Sequence, residues 1–181
     1  TSSRAFMDVA DYVMITHLHV PDAQAAILPA QIVMWSYTII GLGVVSMVNT
    51  FVSQSLGRGR HRECSAYAWQ TLYVAVFFGL AALGFLPFLP SLIASFGHDP
   101  GVQALEMAYT RVALLTAGPT ILADGLGWFF MGIHRPKTTM WSAIEANAVN
   151  IVVGYVLIFG RLGFEPMGIA GAAWGMLAAV C

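Results

Sequence analysis

The chain has 181 residues, of which 58% are hydrophobic and 9% are charged, and its formal net charge is -1. Soluble domains carry about 25% charged residues, so this composition excludes an ordinary soluble fold and indicates a polytopic membrane protein. The near-neutral charge lacks the basic clustering that nucleic-acid binding requires.

Apolar segments separated by polar, glycine-containing and proline-containing breaks predict six membrane-spanning helices. A span needs about 20 mostly apolar residues at a rise of about 1.5 Å each. The third predicted span is expected to continue past Pro87 and Pro90 as an irregular or kinked end. The chain opens on Thr1 and stops at Cys181 inside an apolar run, so we expect truncation at both ends. We predict one all-α transmembrane bundle over residues 1–181, with spans at approximately 1–18, 25–55, 64–86, 102–133, 138–160 and 167–181.

Basic residues are concentrated in two of the five connections between these spans. The connection after the second span holds Arg58, Arg60 and Arg62, and the connection after the fourth holds Arg135 and Lys137. Cytoplasmic loops carry an excess of Lys and Arg. We therefore expect these two loops to face the cytoplasm of a multi-pass protein in the cell (inner) membrane.

Polar residues inside the predicted spans are the first indication of function. A carboxylate in a bilayer is costly and is kept mostly where it binds an ion, a proton or a substrate. Asp8 and Asp11 lie on the first span, Asp124 on the fourth and Asn150 on the fifth. Helix rise places each of them about 13–18 Å from a surface of a hydrocarbon core about 30 Å thick. We expect all four to share the middle of the membrane.

A purely structural role can explain two of the three carboxylates within the predicted spans. Asp8 follows Arg4 by four residues, so the two charges can neutralise each other on one helix face. Asp11 has no such partner within its own span, which makes it the leading functional candidate. Asp124 lies near a proline and two glycines and could instead satisfy backbone groups that they free.

The amides and remaining charges of the fourth and fifth spans leave alternatives open as well. Asn147 and Asn150 share a helix face and could hold neighbouring helices together by hydrogen bonds. Glu145 could extend toward the inner interface. Arg111 could pair with Glu106 or cap a cavity.

Enzyme and metal-site signatures are not found in the sequence. It contains no G-x-S-x-G, H-E-x-x-H or phosphate-binding glycine loop. Cys64 and Cys181 form no C-x-x-C, so neither a metal site nor a disulfide framework is predicted. Gly171 and Gly175 form a G-x-x-x-G, which allows close helix approach without specifying a function. We therefore predict a non-enzymatic protein without a cofactor.

Four segments, in matched order and spacing, carry a resemblance to a known family. Residues 9–14, V-A-D-Y-V-M, resemble the family segment V-D-T-x-M-x-G, and residues 51–60, F-V-S-Q-S-L-G-R-G-R, resemble T-x-V-A-Q-x-x-G-A-G-x. Residues 150–160, N-I-V-V-G-Y-V-L-I-F-G, are similar to N-I-x-L-N-Y-x-L-I-F-G, and residues 166–173, P-M-G-I-A-G-A-A, to P-x-G-V-x-G-A-A. The chain thus resembles the multidrug and toxic compound extrusion (MATE) transporters over essentially its whole length.

The resemblance implies the N-terminal lobe of a twelve-helix, two-lobe transporter. Asp11 matches the acidic residue that binds the coupling proton or sodium ion, and Asn150 matches the asparagine that assists it. Gly154 stands where a second asparagine or aspartate is usual, and Met176 where some members have threonine. Both departures remove an oxygen ligand, and a hard cation prefers several oxygens.

We therefore favour proton over sodium coupling, with sodium still open. Asp8, Asp124, Asn147 and Glu145 are the candidates for a supporting role, and Asp8 or Asp124 could supply the absent polar group. No cofactor other than the coupling ion is implied.

The function expected on these grounds is efflux of cationic amphipathic drugs or toxic metabolites by antiport with protons or sodium. Membrane lipid, a small cationic substrate and the missing C-terminal lobe are the expected partners. A lipid-linked oligosaccharide flippase of the same superfamily is the first alternative, but its cavity would need cations and only Arg4 and Arg111 are available. A membrane-embedded enzyme is the less favoured one, because it would need a nucleophile or metal ligands within the membrane.

Overall fold

The computed structural model describes residues 9, 13, 23–160 and 167–181. Every regular element within these ranges is helical, which confirms the predicted all-α class. Asp8 and Asp11, on the first predicted span, lie outside the described residues.

The described ranges contain seven α-helices. A short 3-10 helix, Leu86–Phe88, joins the second and third of them in the proline-containing segment that was expected to be irregular. The helices are α1 Ala23–Gly57, α2 His61–Phe85, α3 Leu89–Ala94, α4 Pro100–Leu115, α5 Ala117–Gly132, α6 Pro136–Phe159 and α7 Ile169–Val180.

Proline and glycine set several of the helix ends. Pro100 and Pro136 begin α4 and α6, where the missing N–H of proline breaks no intrahelical hydrogen bond. Gly160 ends α6 with a φ of 65°, a left-handed conformation that glycine adopts without strain.

The fourth predicted span is two helices rather than one. α4 and α5 meet at Thr116 with a bend of 44°. Pro119 lies three residues later, and a proline removes one backbone hydrogen bond and crowds the carbonyl four residues before it, here that of Leu115. The Thr116 hydroxyl donates to the Ala113 carbonyl at 2.6 Å, which satisfies one group at the break. The proline therefore accounts for the position of the bend.

Three stretches of the described chain are long and apolar enough to cross a membrane: Ala26–Gly57, His61–Ala94 and Pro136–Phe159. The bent pair α4 and α5 makes a fourth when it is counted as one span, and α7 is a shorter apolar helix. Large apolar side chains such as Trp69, Phe77 and Trp141 are exposed on the surface of the bundle, as expected of positions that face lipid.

Glycine lets α5 lie against both α1 and α2. A Cβ built on Gly125 would meet Thr71 Cγ2 at 2.2 Å and Val45 Cβ at 3.2 Å. A Cβ on Gly118 would meet the Ala75 carbonyl oxygen at 3.1 Å. Small residues serve this purpose in membrane bundles, where close packing rather than the hydrophobic effect holds helices together.

The Gly171 and Gly175 pair brings α7 onto the backbone of α6. A Cβ on Gly171 would lie 2.8 Å from the Ile158 nitrogen, and one on Gly175 would lie 2.8 Å from Gly154 Cα. The G-x-x-x-G motif therefore makes the close helix contact that its spacing allows.

Gly175→Ala should loosen the contact between α6 and α7. The added methyl group meets backbone atoms that cannot rotate away, and overpacking of this kind costs about 1–3 kcal/mol. Gly84→Ala is the matched control, because no atom lies within 4 Å of its built Cβ and alanine favours a helix. Thermal unfolding in detergent, followed by circular dichroism, should show a lower Tm for Gly175→Ala only. Equal Tm values for the two variants would contradict the predicted contact.

Candidate functional site

Asn150 is a fully buried amide in the middle of α6. Its side chain is 0% exposed, and neither its oxygen nor its nitrogen has a hydrogen-bond partner in the described part of the chain. A buried polar group without a partner costs about 1–3 kcal/mol. Hydrocarbon supplies no partner either. Asn150 is therefore suited to bind a group from another helix or an ion.

On the side of α7, the backbone of α6 near Asn150 packs closely against glycine. A Cβ on Gly175 would lie 3.3 Å from the Asn150 carbonyl oxygen as well as close to Gly154. Gly154 is buried, so this position serves helix packing where the resemblance leads one to expect a second polar ligand. Met176 packs against the apolar cluster that contains Ala172 and Ala173. Gly154 and Met176, the two positions that differ from the family pattern, therefore supply no side-chain oxygen ligand.

One contact relates the positions of Asp124 on α5 and Asn150 on α6. The Thr139 hydroxyl donates to the Gly127 carbonyl at 3.2 Å, which places these levels of α5 and α6 side by side. At a rise of about 1.5 Å per residue, Asn150 lies about 16 Å beyond this contact along α6. Asp124 lies about 4.5 Å beyond it along α5, and both distances run away from the loop that joins the two helices. The two distances along the helices differ by about 12 Å. The shared position of the two residues in the middle of the membrane stays a prediction.

The remaining candidates on α6 differ in their surroundings. Asn147 is half-buried one turn before Asn150, and its amide nitrogen donates to the Ala143 carbonyl at 2.6 Å. Glu145 is exposed. Asn147 therefore lies beside Asn150 on the same helix face, whereas Glu145 points away from the buried side of α6. Asp8 and Asp11 lie outside the described residues, and their roles stay predictions.

The sequence alone did not single out Glu106 as a candidate. Its side chain is 1% exposed, and its Oε1 lies 2.7 Å from Nδ1 of His98. Arg111, suggested as its partner, is exposed. His98 belongs to the connection before α4 and Glu106 is two turns into the helix, so helical periodicity alone did not pair them.

A groove of about 740 Å³ lies between α2, α5 and α6 and is bordered by Val180 at the end of α7. Most of its lining is apolar, for example Leu72, Leu80 and Phe130, with hydroxyl groups from Thr139 and Ser142. Its lining contains neither Asn150 nor Asn147. The groove is therefore separate from the buried amide.

Comparison with known proteins gives matches along most of the chain. The MatE family model matches residues 3–156. "Probable multidrug resistance protein NorM" of Rhizobium meliloti is 28% identical over 92% of this chain and 36% of its own length. The protein of the same name in Geobacillus kaustophilus is 26% identical over 93% of this chain and 37% of its own length. The chain thus spans little more than a third of these curated relatives.

Solved structures share the fold at low sequence identity. A crystal structure of a MATE variant has a TM-score of 0.86 at 22% identity, covering 99% of this chain and 39% of that one. An outward-facing multidrug resistance MATE family transporter has a TM-score of 0.83 at 21% identity, with the same coverage of 99% and 39%. An inward-facing one has a TM-score of 0.78 at 22% identity and covers 97% and 39%.

These structures are twelve-helix, two-lobe folds, and the chain corresponds to the N-terminal half. The family consists of transporters and not enzymes, which confirms the non-enzymatic prediction. Because the family model matches well over half of its residues, the chain belongs to the MATE family.

Proposed function

We propose that this chain is the N-terminal lobe of a secondary transporter that exports cationic amphipathic compounds in exchange for protons. Family membership and the relatives named as multidrug resistance proteins support drug efflux. The observation that carries the coupling proposal is Asn150, a buried amide without a partner among the described residues. Asparagine in a membrane bundle commonly hydrogen-bonds to a neighbouring helix; because Asn150 makes no such bond among the described residues, its free amide supports a role in binding.

Asn150 and Asp11 are proposed to form the coupling site together. Asp11 matches the acidic residue of the family, and the Asn150 amide offers one acceptor and two donors. When Asp11 is ionised, the amide donates to the carboxylate; when it is protonated, the amide oxygen accepts from the acid. The same amide therefore serves both protonation states.

A proton fits this site better than sodium does. Hard cations prefer several oxygen ligands, and Gly154 and Met176 have no side-chain oxygen at the positions where the family resemblance leads one to expect a ligand. A proton needs only the carboxylate and one hydrogen-bonding neighbour. The lack of these oxygen atoms thus supports proton coupling.

Transport is proposed to follow alternating access. Ionised Asp11 favours a cationic substrate in the cavity between the lobes, and protonation from outside removes that charge and releases the substrate outward. A ligand can drive such a switch only through different affinities for the two states. The lobe matches both outward-facing and inward-facing MATE structures, at TM-scores of 0.83 and 0.78. This similarity supports movement of the lobe as a unit.

The orientation proposal rests on the charge of the loops. Five basic residues are exposed at the starts of α2 and α6 or in the connections before them: Arg58, Arg60, Arg62, Arg135 and Lys137. These connections are proposed to face the cytoplasm of the cell (inner) membrane. Membrane lipid, a small cationic substrate and the C-terminal lobe are the proposed partners.

Asn150→Ala should impair efflux in the full-length transporter far more than Asn147→Ala. Loss of a residue that orients an ion-binding group typically costs roughly 10–100-fold, and Asn147 already bonds to its own helix. Asp11→Asn should abolish gradient-driven efflux while the protein still inserts. Export of a fluorescent cationic dye from inverted vesicles, with a pH or a sodium gradient imposed separately, measures both effects. Unchanged efflux by Asp11→Asn would remove this residue from the mechanism.

Impermeant thiol reagents should label the two ends of the bundle from opposite sides. Cys64 is buried, so the background is Cys64→Ala with Cys181→Ser, and the reporters are His61→Cys and Asp99→Cys at exposed positions. His61→Cys should react only from the cytoplasmic side, and Asp99→Cys only from outside. The reverse pattern would overturn the proposed orientation.

A further inference from the structure

The groove between α2, α5 and α6 has the length of one membrane leaflet. On α5, the residues that line it run from Gly118 to Phe130. At a rise of about 1.5 Å per residue this distance is about 18 Å, and half of a hydrocarbon core about 30 Å thick is about 15 Å. The groove is therefore long enough to hold an acyl chain that lies along the helices.

The walls of this groove are apolar and open to the surroundings of the bundle. On α2, Val76 and Leu80 line the groove and are 51% and 63% exposed. On α5, Ala123 lines it and is exposed as well. Both helices belong to stretches that are long and apolar enough to cross a membrane, α5 as part of the bent span. A groove at this depth meets hydrocarbon and not water, so its occupant must be apolar.

Hydroxyl groups line the groove at one end only. They come from the first two turns of α6, at Thr138, Thr139 and Ser142. The Thr139 hydroxyl donates to the Gly127 carbonyl at 3.2 Å. Thr138 and Ser142 are exposed, and their separation of four residues places them on one helix face. This end of the groove adjoins the connection between α5 and α6.

The same end carries two exposed cations. Arg135 directly precedes α6, and Lys137 is the second residue of this helix. Neither takes part in an ion pair within the ranges that the structure describes. Trp141, one turn after Lys137, is 59% exposed. Tryptophan is enriched at the level of the lipid headgroups, so the two cations lie where a headgroup phosphate is within reach.

The charges around the groove select an anionic compound. Asp124 on α5 and Glu145 on α6 lie outside its lining. A cationic compound would therefore meet no carboxylate along the groove and two positive charges at its end. An anionic amphiphile would meet an apolar channel with cations at the polar end. Membranes supply such compounds as anionic phospholipids, whose headgroups bind in basic pockets between spanning helices.

We propose that the groove between α2, α5 and α6 is a binding site for one anionic phospholipid. An acyl chain lies along α5, and the phosphate group pairs with Arg135 and Lys137. The hydroxyl groups of Thr138 and Ser142 donate to the phosphate or ester oxygens. The site requires neither Asp11 nor transport, so it stands independently of the proposed function.

Photo-crosslinking of the full-length transporter in lipid nanodiscs tests this site. The nanodiscs contain phosphatidylcholine and a small fraction of phosphatidylglycerol that carries a diazirine in the middle of one acyl chain. The labelled peptides are identified by mass spectrometry, and the label should fall on lining residues of α2 or α5. Unlabelled phosphatidylglycerol should compete for the site far better than phosphatidylcholine with the same chains.

Two variants that fill the groove test the position of the acyl chain. Ala123→Phe and Val76→Phe should each remove most of the label, because a ring at an exposed lining position occupies the space of the chain. Ala81→Phe is the matched control, since Ala81 is exposed on α2 but lies outside the lining, and it should keep the label. Thermal unfolding of each variant checks that it is folded.

A charge-matched pair of double variants tests the headgroup contacts. Arg135→Gln combined with Lys137→Gln should weaken competition by phosphatidylglycerol about 10–30-fold, because two cations near the lipid phosphate are lost. Arg58→Gln combined with Arg62→Gln removes the same charge from exposed positions near the other basic connection. This control should leave the competition unchanged.

Several results would overturn the proposal. Label outside the lining residues, or label that persists in both Ala123→Phe and Val76→Phe, would contradict the position of the chain. Equal competition by the two lipids would indicate a groove that does not select the headgroup, and competition by inorganic phosphate would indicate a simple anion site. Displacement of the label by a fluorescent cationic dye would indicate a substrate site instead. The absence of any label would indicate that the C-terminal lobe or a second copy covers the groove.

Discussion

The hydrocarbon core of a membrane provides no hydrogen-bond partner, so polar groups inside a spanning helix must find partners within the protein. This constraint organises the chain. Several hydroxyl groups along α1 and α2 bond to backbone carbonyls one turn earlier, as Thr38 does with Met34 at 2.8 Å and Thr71 with Tyr67 at 3.0 Å. Against that background, the side chains of Asn150 and Glu106 stand out because they are buried and incompletely bonded.

Close helix contact is the second consequence of the same environment. Without a hydrophobic driving force between helices, small residues allow backbones to approach. Gly118 and Gly125 do so between α5 and α2, and Gly171 and Gly175 between α7 and α6. At Gly154 this packing replaces a polar ligand that the family resemblance would place there. Glycine at position 154 thus allows α6 and α7 to pack closely and leaves the proposed ion site without a side-chain ligand at this position.

Sequence reasoning reached the fold class and the family because composition, segment length and matched motifs are properties of the chain as a whole. It predicted a single helix for the fourth span although Pro119 lies within it, because a proline in a membrane helix can be accommodated without a break. It placed Asp124 and Asn150 at one level only from the positions of the loops, which define depth roughly, and that placement stays a prediction. Contacts between neighbouring helices, such as that of Thr139 with Gly127, are not visible in the sequence.

The pairing of His98 with Glu106 could not be predicted for a different reason. The two residues are eight positions apart and His98 precedes the helix, so no helical repeat relates them. Burial of Glu106 depends on how α1 and α7 pack around α4, which is a property of the tertiary structure. Its acidic character had instead suggested Arg111, which the fold leaves exposed.

Reconstitution of the chain into liposomes tests the central claim, that these helices are one lobe of a two-lobe transporter. The chain is reconstituted alone and together with the C-terminal lobe, a pH gradient is imposed, and the movement of a fluorescent cationic dye is followed. Gradient-driven dye movement is expected only when both lobes are present, because the proposed substrate cavity lies between them. Gradient-driven movement by this chain alone would contradict it and would indicate a small transporter that functions without a second lobe.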